Sequence, residues 1–351
     1  MSASASVRME GIVKKHGAVT ALHGIDLDIH PGEFFALLGP SGSGKTTTLR
    51  ILAGLESVSE GRVFMDGVDV TAREPGERDV AMVFQSYALY PHMTVAANIG
   101  FPLKMVGMPA AEVEAAVRDS AAKVDIAHLL DRRPGQLSGR QQQRCALARA
   151  IVRQPRLFLL DEPLSNLDAK LRLETRAELR KLQRSLGVTA VYVTHDQEEA
   201  MTIADRMAVF MEGRIVQVGT PQEIFRKPAT VTVAGFIGTP PMNLLPAILS
   251  PAGVQVAGAT LPAGSSPTAS TREVTLGVRP GDLRIAAQGI PARVDFIEDF
   301  GDSSVVNLEV EGRRVKMRAG ELPSLTEGES VHLAFDPRSA HLFDRATGLR
   351  I

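Results

Sequence analysis

The 351-residue chain has a single cysteine, Cys145, so no disulfide can form within it. A lone thiol in an apolar helical run fits a reducing compartment and a packed side chain rather than a reactive one. Charge bias is also missing. Lys and Arg number 39 against 40 Asp and Glu, a formal net charge of −1, which leaves no chain-wide basic field for nucleic acid or acidic lipid. The first residues, MSASASVRME, hold no apolar stretch of the kind a secretory leader needs, so none is expected. Nowhere do eighteen apolar residues run together as a membrane-spanning helix requires. The chain is expected to be soluble, with enough length for two domains or three, each with its own core.

Short apolar runs and helical stretches alternate through the first half. EFFALLGPSGSGKTTTLRILAGL (33–55) reads as a strand, a glycine-rich turn and an amphipathic helix. RLFLLDEP (156–163) and AVYVTHD (190–196) read as further short buried strands, each followed by a helical segment. This pattern predicts an α/β domain with a mostly parallel sheet. Between about 86 and 155 helical patterning dominates, as in AAEVEAAVRDSAAKV, which predicts a helical insertion. The Gly/Pro/Ser/Ala-rich stretch SPAGVQVAGATLPAGSSPTAS (250–270) then opens a different kind of chain. Beyond it, PARVDFIEDFGDSSVVNLEVEGRRVKMR and ESVHLAFDP alternate as strands do, with turns between, and predict a small all-β barrel.

The chemistry-bearing motifs sit in the α/β part. GPSGSGKT (39–46) matches G-x-x-x-x-G-K-[ST] directly after an apolar strand and before a helix. Backbone N–H groups of such a loop wrap a β-phosphate, Lys45 reaches the β- and γ-phosphates, and the Thr46 hydroxyl suits Mg²⁺. Asp161 leaves the end of a buried strand, where it can hold the metal's water shell, and Glu162 beside it can polarise a water against the γ-phosphate. His195 ends a third strand on the same expected edge. GQLSGRQQQRCALARA (135–150) has Ser138 followed three positions later by Gln141, a capping box whose exposed N–H groups and dipole suit an anion.

Taken in order, GPSGSGKT, MVFQSYALYPHMTV, LSGRQQ, LFLLDEP, SNLD and VTHD resemble the motifs of the ATP-binding subunit of an ABC transporter. AGFIGTPPMNLL, LGVRP and the closing β domain look like its carbohydrate-importer branch, the maltose and glycerol-3-phosphate type. The resemblance implies a P-loop ATPase domain over 1–235, its helical subdomain at about 86–155, and an OB-like β regulatory domain over 236–351. It implies ATP and Mg²⁺ as ligands. Gly39, Pro40, Ser41, Gly42, Ser43, Gly44, Lys45, Thr46 and Thr47 would form the phosphate cradle. Thr46, Gln85 and Asp161 would hold the metal, with Glu162 as base and His195 as the switch that contacts the γ-phosphate. Ser138, Gly139 and Gln141 would close on ATP held by a second copy, with Asp168 at the seam. The stretch after Gln85, through YALYPHMTVAANI, would line a groove for two transmembrane permease subunits. An extracytoplasmic solute-binding protein would be an indirect partner, and the chain a peripheral subunit on the cytoplasmic face of the inner membrane.

Two positions depart from the pattern. His16, in KKHGAV, stands where the family stacks adenine on Tyr, Trp or Phe, and imidazole stacks over less area. Arg140 replaces the second glycine of LSGGQ. The capping box puts position 140 in the first helical turn, so a helical φ and a side chain turned aside are expected. The family's basic residue two places later is Gln142 here. Other classes fit less well. A soluble ABC protein acting on nucleic acid or the ribosome would need tandem cassettes or a long coiled coil between Lys45 and Ser138. A P-loop kinase would lack the signature and SNLD. An OB-like nucleic-acid binder would need a basic stripe, whereas from 243 onward there are 11 Lys and Arg against 13 Asp and Glu.

Overall fold

The computed structural model describes residues 4–262, 271–321 and 324–351. The chain divides into two compact units, Met1–Pro221 and Gln222–Ile351. The first runs β1 (Val7–His16), β2 (Val19–Ile29), β3 (Phe34–Leu38), α1 (Lys45–Ala53), β4 (Glu60–Met65), β5 (Val68–Asp69) and β6 (Val80–Val83). Then come α2 (Val95–Met105), α3 (Ala110–Lys123), α4 (Gly139–Ile151), β7 (Leu157–Asp161), α5 (Ala169–Leu186), β8 (Thr189–Thr194), α6 (Gln197–Ile203), β9 (Arg206–Met211) and β10 (Arg214–Gly219). From 84 to 156 the chain contains helices and turns but no strand.

Alternation within the central strands explains the layers. β3, β7 and β8 are buried along their whole length, as strands covered on both faces must be. Successive side chains point to opposite faces. Phe35, Leu37, Leu157, Leu159, Val191 and Val193 therefore enter one core, shared with α1 and the strands β1, β2 and β4. Phe34, Phe158, Leu160, Ala190 and Tyr192 enter the other, beneath α2 to α5. Each of these fully buried large side chains contributes about 1.5–3 kcal/mol of transfer free energy. The sheet order is β10-β9-β3-β8-β7-β6, parallel from β9 through β6 with β10 antiparallel at one edge. A second, antiparallel sheet, β2-β1-β4-β5, was not foreseen from the sequence. Parallel pairing brings the C-terminal ends of β3, β6, β7 and β8 to one edge, where crossover loops gather and ligands bind in open α/β sheets.

The second unit begins with short helices and continues in β11 (Asn243–Ser250), β12 (Gly253–Val256), β13 (Ala259–Leu261), β14 (Arg272–Val278), β15 (Arg284–Ala286), β16 (Ile290–Asp299), β17 (Ser304–Val310), β18 (Arg313–Ala319), β19 (Ser330–Ala334) and β20 (His341–Asp344). Two five-stranded antiparallel sheets, β13-β12-β11-β14-β20 and β15-β19-β16-β17-β18, enclose one core. The all-β expectation is met. The start of the Gly/Pro/Ser-rich stretch forms the hairpin β12–β13, because Val254 and Val256 alternate into the core and Gly253, at φ +131, approaches the Leu261 carbonyl too closely for any Cβ. Residues 263–270 of that stretch lie outside the described residues.

Candidate active site

The glycine-rich loop leaves β3 and enters α1 through Gly44, whose φ of +101 suits glycine alone. Gly39 is constrained differently. A Cβ there would lie 2.3 Å from the Phe210 carbonyl oxygen and 2.8 Å from Ser43 Oγ, so the loop closes only around a glycine. Gly42, at φ +78, turns the exposed tip beside Pro40 and Ser41, while Thr47 lies half-buried in the first turn of α1. The first N–H groups of a helix lack intrahelical partners, so the start of α1 offers donors to an anion.

Lys45 is 3% exposed, and its ammonium donates to the carbonyls of Gly39 (2.8 Å) and Pro40 (2.7 Å). Burial lowers its pKa, and the nearby carboxylates of Glu162 and Asp161 partly oppose that shift. The Thr46 hydroxyl donates to Asp161 Oδ1 at 3.1 Å, joining the start of α1 to the end of β7. Burial raises the Asp161 pKa, the Thr46 bond works against this, and the Glu162 charge adds to it. A hydroxyl and a carboxylate held this close form a hard-oxygen donor pair, which fits Mg²⁺ better than a softer metal. The buried cation and glycine-shaped cradle fit a polyphosphate.

Glu162 takes φ +44, an uncommon left-handed value for a residue with a side chain. Its N–H donates to the Val193 carbonyl on β8, and its own carbonyl accepts from the Ser165 hydroxyl at 2.9 Å. The backbone reversal aims the carboxylate toward His195, whose Nδ1 lies 3.1 Å from Glu162 Oε2. Gln85 is exposed just past β6, and its carbonyl accepts from Asn166 Nδ2 at 2.7 Å. The turn after Gln85 is fixed from behind. Tyr87 and Ala88 both have positive φ, and Arg149 of α4 donates to both of their carbonyls at 2.8 Å. Buried Asn98 binds the Tyr90 N–H and carbonyl.

Ser138 caps α4. Its N–H donates to Gln141 Oε1 at 2.9 Å, and its hydroxyl accepts from the Gln141 N–H at 3.4 Å, the reciprocal box expected of this sequence. Gly139 sits against Leu167, and Asp168 caps α5 by accepting the Leu171 N–H at 3.0 Å. Among the described residues no hydrogen bond or ion pair joins Ser138, Gly139 or Gln141 to the Lys45–Glu162 group. His16 is exposed at the end of β1.

Arg140 lies inside α4 with a helical backbone, and its guanidinium turns onto α5, pairing with Glu174 (3.1 Å) and with Glu178. Arg144, one turn on, also holds Glu178 and reaches Asp125. Two like-charged side chains four apart on each helix thus form one interlocking ladder. Gln142 spends its amide on the Pro134 and Leu137 carbonyls. Several contributors were missed by sequence reasoning: Asn98, Arg149 and Asn166. Asn166 stands within the quoted SNLD, which was the one available signal.

Comparison with known proteins accords with this geometry. A model of the ABC transporter family matches residues 22–165, the MalK OB fold domain matches 238–283 and the TOBE domain matches 276–343. An sn-glycerol-3-phosphate import ATP-binding protein of Rhizobium johnstonii is 45% identical, over 98% of this chain and 95% of its own. A trehalose/maltose import ATP-binding protein of Thermococcus litoralis is 47% identical, over 99% of this chain and the whole of its own. A dimeric ATP-binding cassette solved in a post-hydrolysis state with ADP and Pi aligns at TM-score 0.56 and 31% identity, over 61% of this chain and 98% of its own. The first unit's motifs and the second unit's domains are thus matched together by relatives over nearly their whole length, and the chain belongs to the family of ABC-importer ATP-binding subunits.

Proposed function

We propose that this chain hydrolyses ATP to drive uptake of a sugar or related solute through a pair of permease subunits, and that two copies sandwich ATP head to tail. One observation carries the reading: buried Lys45, the Thr46–Asp161 pair and the Glu162–His195 pair stand together on one sheet edge. Lys45 exchanges the Gly39 and Pro40 carbonyls for β- and γ-phosphate oxygens, within a cradle formed by 39–44 and Thr47. Glu162 accepts the proton of the attacking water as that oxygen bonds to the γ-phosphorus and the bridging oxygen departs in line. His195 contacts the γ-phosphate, and His16 stacks on the adenine. Thr46, Gln85 and Asp161 would hold Mg²⁺, which when bound neutralises charge on the phosphate oxygens. Ser138, Gly139 and Gln141 reach the γ-phosphate from the second copy, with Asp168 at the seam.

The sequence holds one GPSGSGKT loop and one LSGRQ stretch, so in this reading a complete site needs two chains. In this reading the ATPase domain spans 1–235 and a regulatory, pair-supporting β domain spans 236–351. The chain is peripheral on the cytoplasmic face of the inner membrane; among the described residues no helix is long and apolar enough to cross it. Closure passes through Gln85 and the turn behind it to the permeases, and an external binding protein delivers the solute. Sugars, polyols, glycerol phosphates and glycosides all suit the family. The glycerol-phosphate and the trehalose/maltose relatives stand at similar identity, so the solute is chosen by the other subunits. The test compares ATPase of the purified chain with its permease pair in lipid and with single-stranded DNA. Stimulation by the permeases is expected, and stimulation by DNA alone would sink the proposal.

A further inference from the structure

Arg172 lies one turn into α5, and its guanidinium meets both turns that carry the chemistry. One terminal nitrogen donates to the Leu167 carbonyl at 3.1 Å, directly before Asp168. The other reaches Asp196 Oδ2 at 3.4 Å, directly after His195. Asp196 is itself fixed, since its other oxygen accepts the Glu198 and Glu199 N–H groups at the start of α6. The remaining nitrogen, Nε, is buried without a hydrogen-bond partner and lies 3.8 Å from Glu199 Oε1, too far for a direct bond.

Glu199 is 3% exposed and anchors the end of β8. Its Oε2 accepts the hydroxyls of Tyr192 and Thr194, both at 2.7 Å, immediately before His195. Between these groups lies a cavity of about 30 Å³, lined by Glu162 and His195 together with Ser165, Arg172, Thr194, Asp196 and Glu199. That volume admits a water, and a donor (Arg172 Nε) with carboxylate acceptors supplies the partners a bound water needs.

We propose that Arg172 is a positioning residue for Glu162 and His195, acting through this hydrated cavity and through its simultaneous grip on the Leu167 and Asp196 turns. When the Asp168 turn meets a second copy, the guanidinium carries that displacement to the His195 turn, and the carboxylate of Glu162 settles where it can take a proton. A planar guanidinium spans three targets in fixed directions; an ammonium cannot. The inference rests on Glu162 being the base.

The experiment uses the full chain with Arg172→Met and Arg172→Lys, each checked by thermal melting. At saturating ATP both should lose about 10–100-fold in kcat, the scale of a slightly misplaced catalytic group, while KM for ATP stays within about threefold. The double variant Glu162→Gln/Arg172→Met should still pair in ATP, because binding and closure are intact. A wild-type kcat in Arg172→Met, or full rescue by Arg172→Lys, overturns the proposal and leaves Arg172 as a brace between α5 and α6. Failure of the underlying reading looks different: Glu162→Gln alone would then hydrolyse ATP at the wild-type rate.

Discussion

Arg140→Gly restores the glycine that the family carries, and its effect can be worked from the contacts. The Arg140 side chain is 27% exposed, and those of its partners Glu174 and Glu178 are 44% and 41% exposed, so each ion pair is solvent-screened and worth about 0.2–1 kcal/mol. Glu178 keeps Arg144 at 3.0 and 3.1 Å, and Glu174, which loses its partner, is exposed enough to be hydrated, so neither carboxylate is left desolvated by the change. Glycine in a helix adds about 1 kcal/mol of cost. The sum is a loss of about 1.4–3 kcal/mol, read as roughly 2–4 °C of Tm for each kcal/mol in a unit of this size. Raising salt should narrow the gap between wild type and variant, because screening weakens the ladder first. Turnover at saturating ATP should stay within a few-fold, since the side chain points at α5. Ser138→Arg is the control and should abolish hydrolysis by crowding the phosphate. A hundredfold fall in turnover for Arg140→Gly, with pairing in ATP preserved, would refute the reasoning and make Arg140 a catalytic arginine of the opposite copy.

His16→Tyr should tighten ATP binding by about 0.5–1 kcal/mol of added stacking, measured by titration of a fluorescent nucleotide, and unchanged affinity would remove His16 as the base platform. Burial pushes the Cys145 thiol up to about 12, so a thiol reagent should modify it only as the protein unfolds, and rapid native labelling would contradict its packing. His341, 8% exposed on β20, is held down to about 4 by burial first and then by Arg350 and Arg279. Between pH 6.5 and 4 the unfolded chain binds this proton and the folded chain does not, so stability is full above 6.5 and falls as pH drops. The loss is about 3 kcal/mol at most, and His341→Gln should flatten that acid limb in melts between those pH values.

The readable parts of this fold were those whose cause is local. FFALL, LFLLD and TAVYVT announced fully covered strands by their unbroken apolar runs, glycine-rich spacing named the turn after FFALL, and capping-box spacing named the start of α4. The antiparallel sheet escaped because its pairing is irregular: β1 slips register against β2 at three places, and VRMEGIVKKH does not keep a clean alternation. The β12–β13 hairpin escaped because its glycines and the prolines that flank it outweighed a few inward valines. At the site, Lys45, Thr46, Asp161, Glu162 and His195 stood in motifs, whereas their supports did not. Arg149 meets the Tyr87 and Ala88 carbonyls across about sixty residues, and Arg140 meets Glu174 and Glu178 across more than thirty. Side-chain bonds to distant carbonyls leave no spacing to read.

The central claim is that ATP bridges two copies through Lys45 of one and Ser138 of the other, with Glu162 needed only for the chemical step. Analytical ultracentrifugation of Glu162→Gln tests it most directly. With ATP and Mg²⁺ the variant should sediment at the mass of two chains at dilutions where the ADP sample dissociates, and adding Ser138→Arg should weaken pairing in ATP to the ADP level. A Glu162→Gln chain that stays single in saturating ATP, while a binding assay shows the nucleotide bound, would contradict the account.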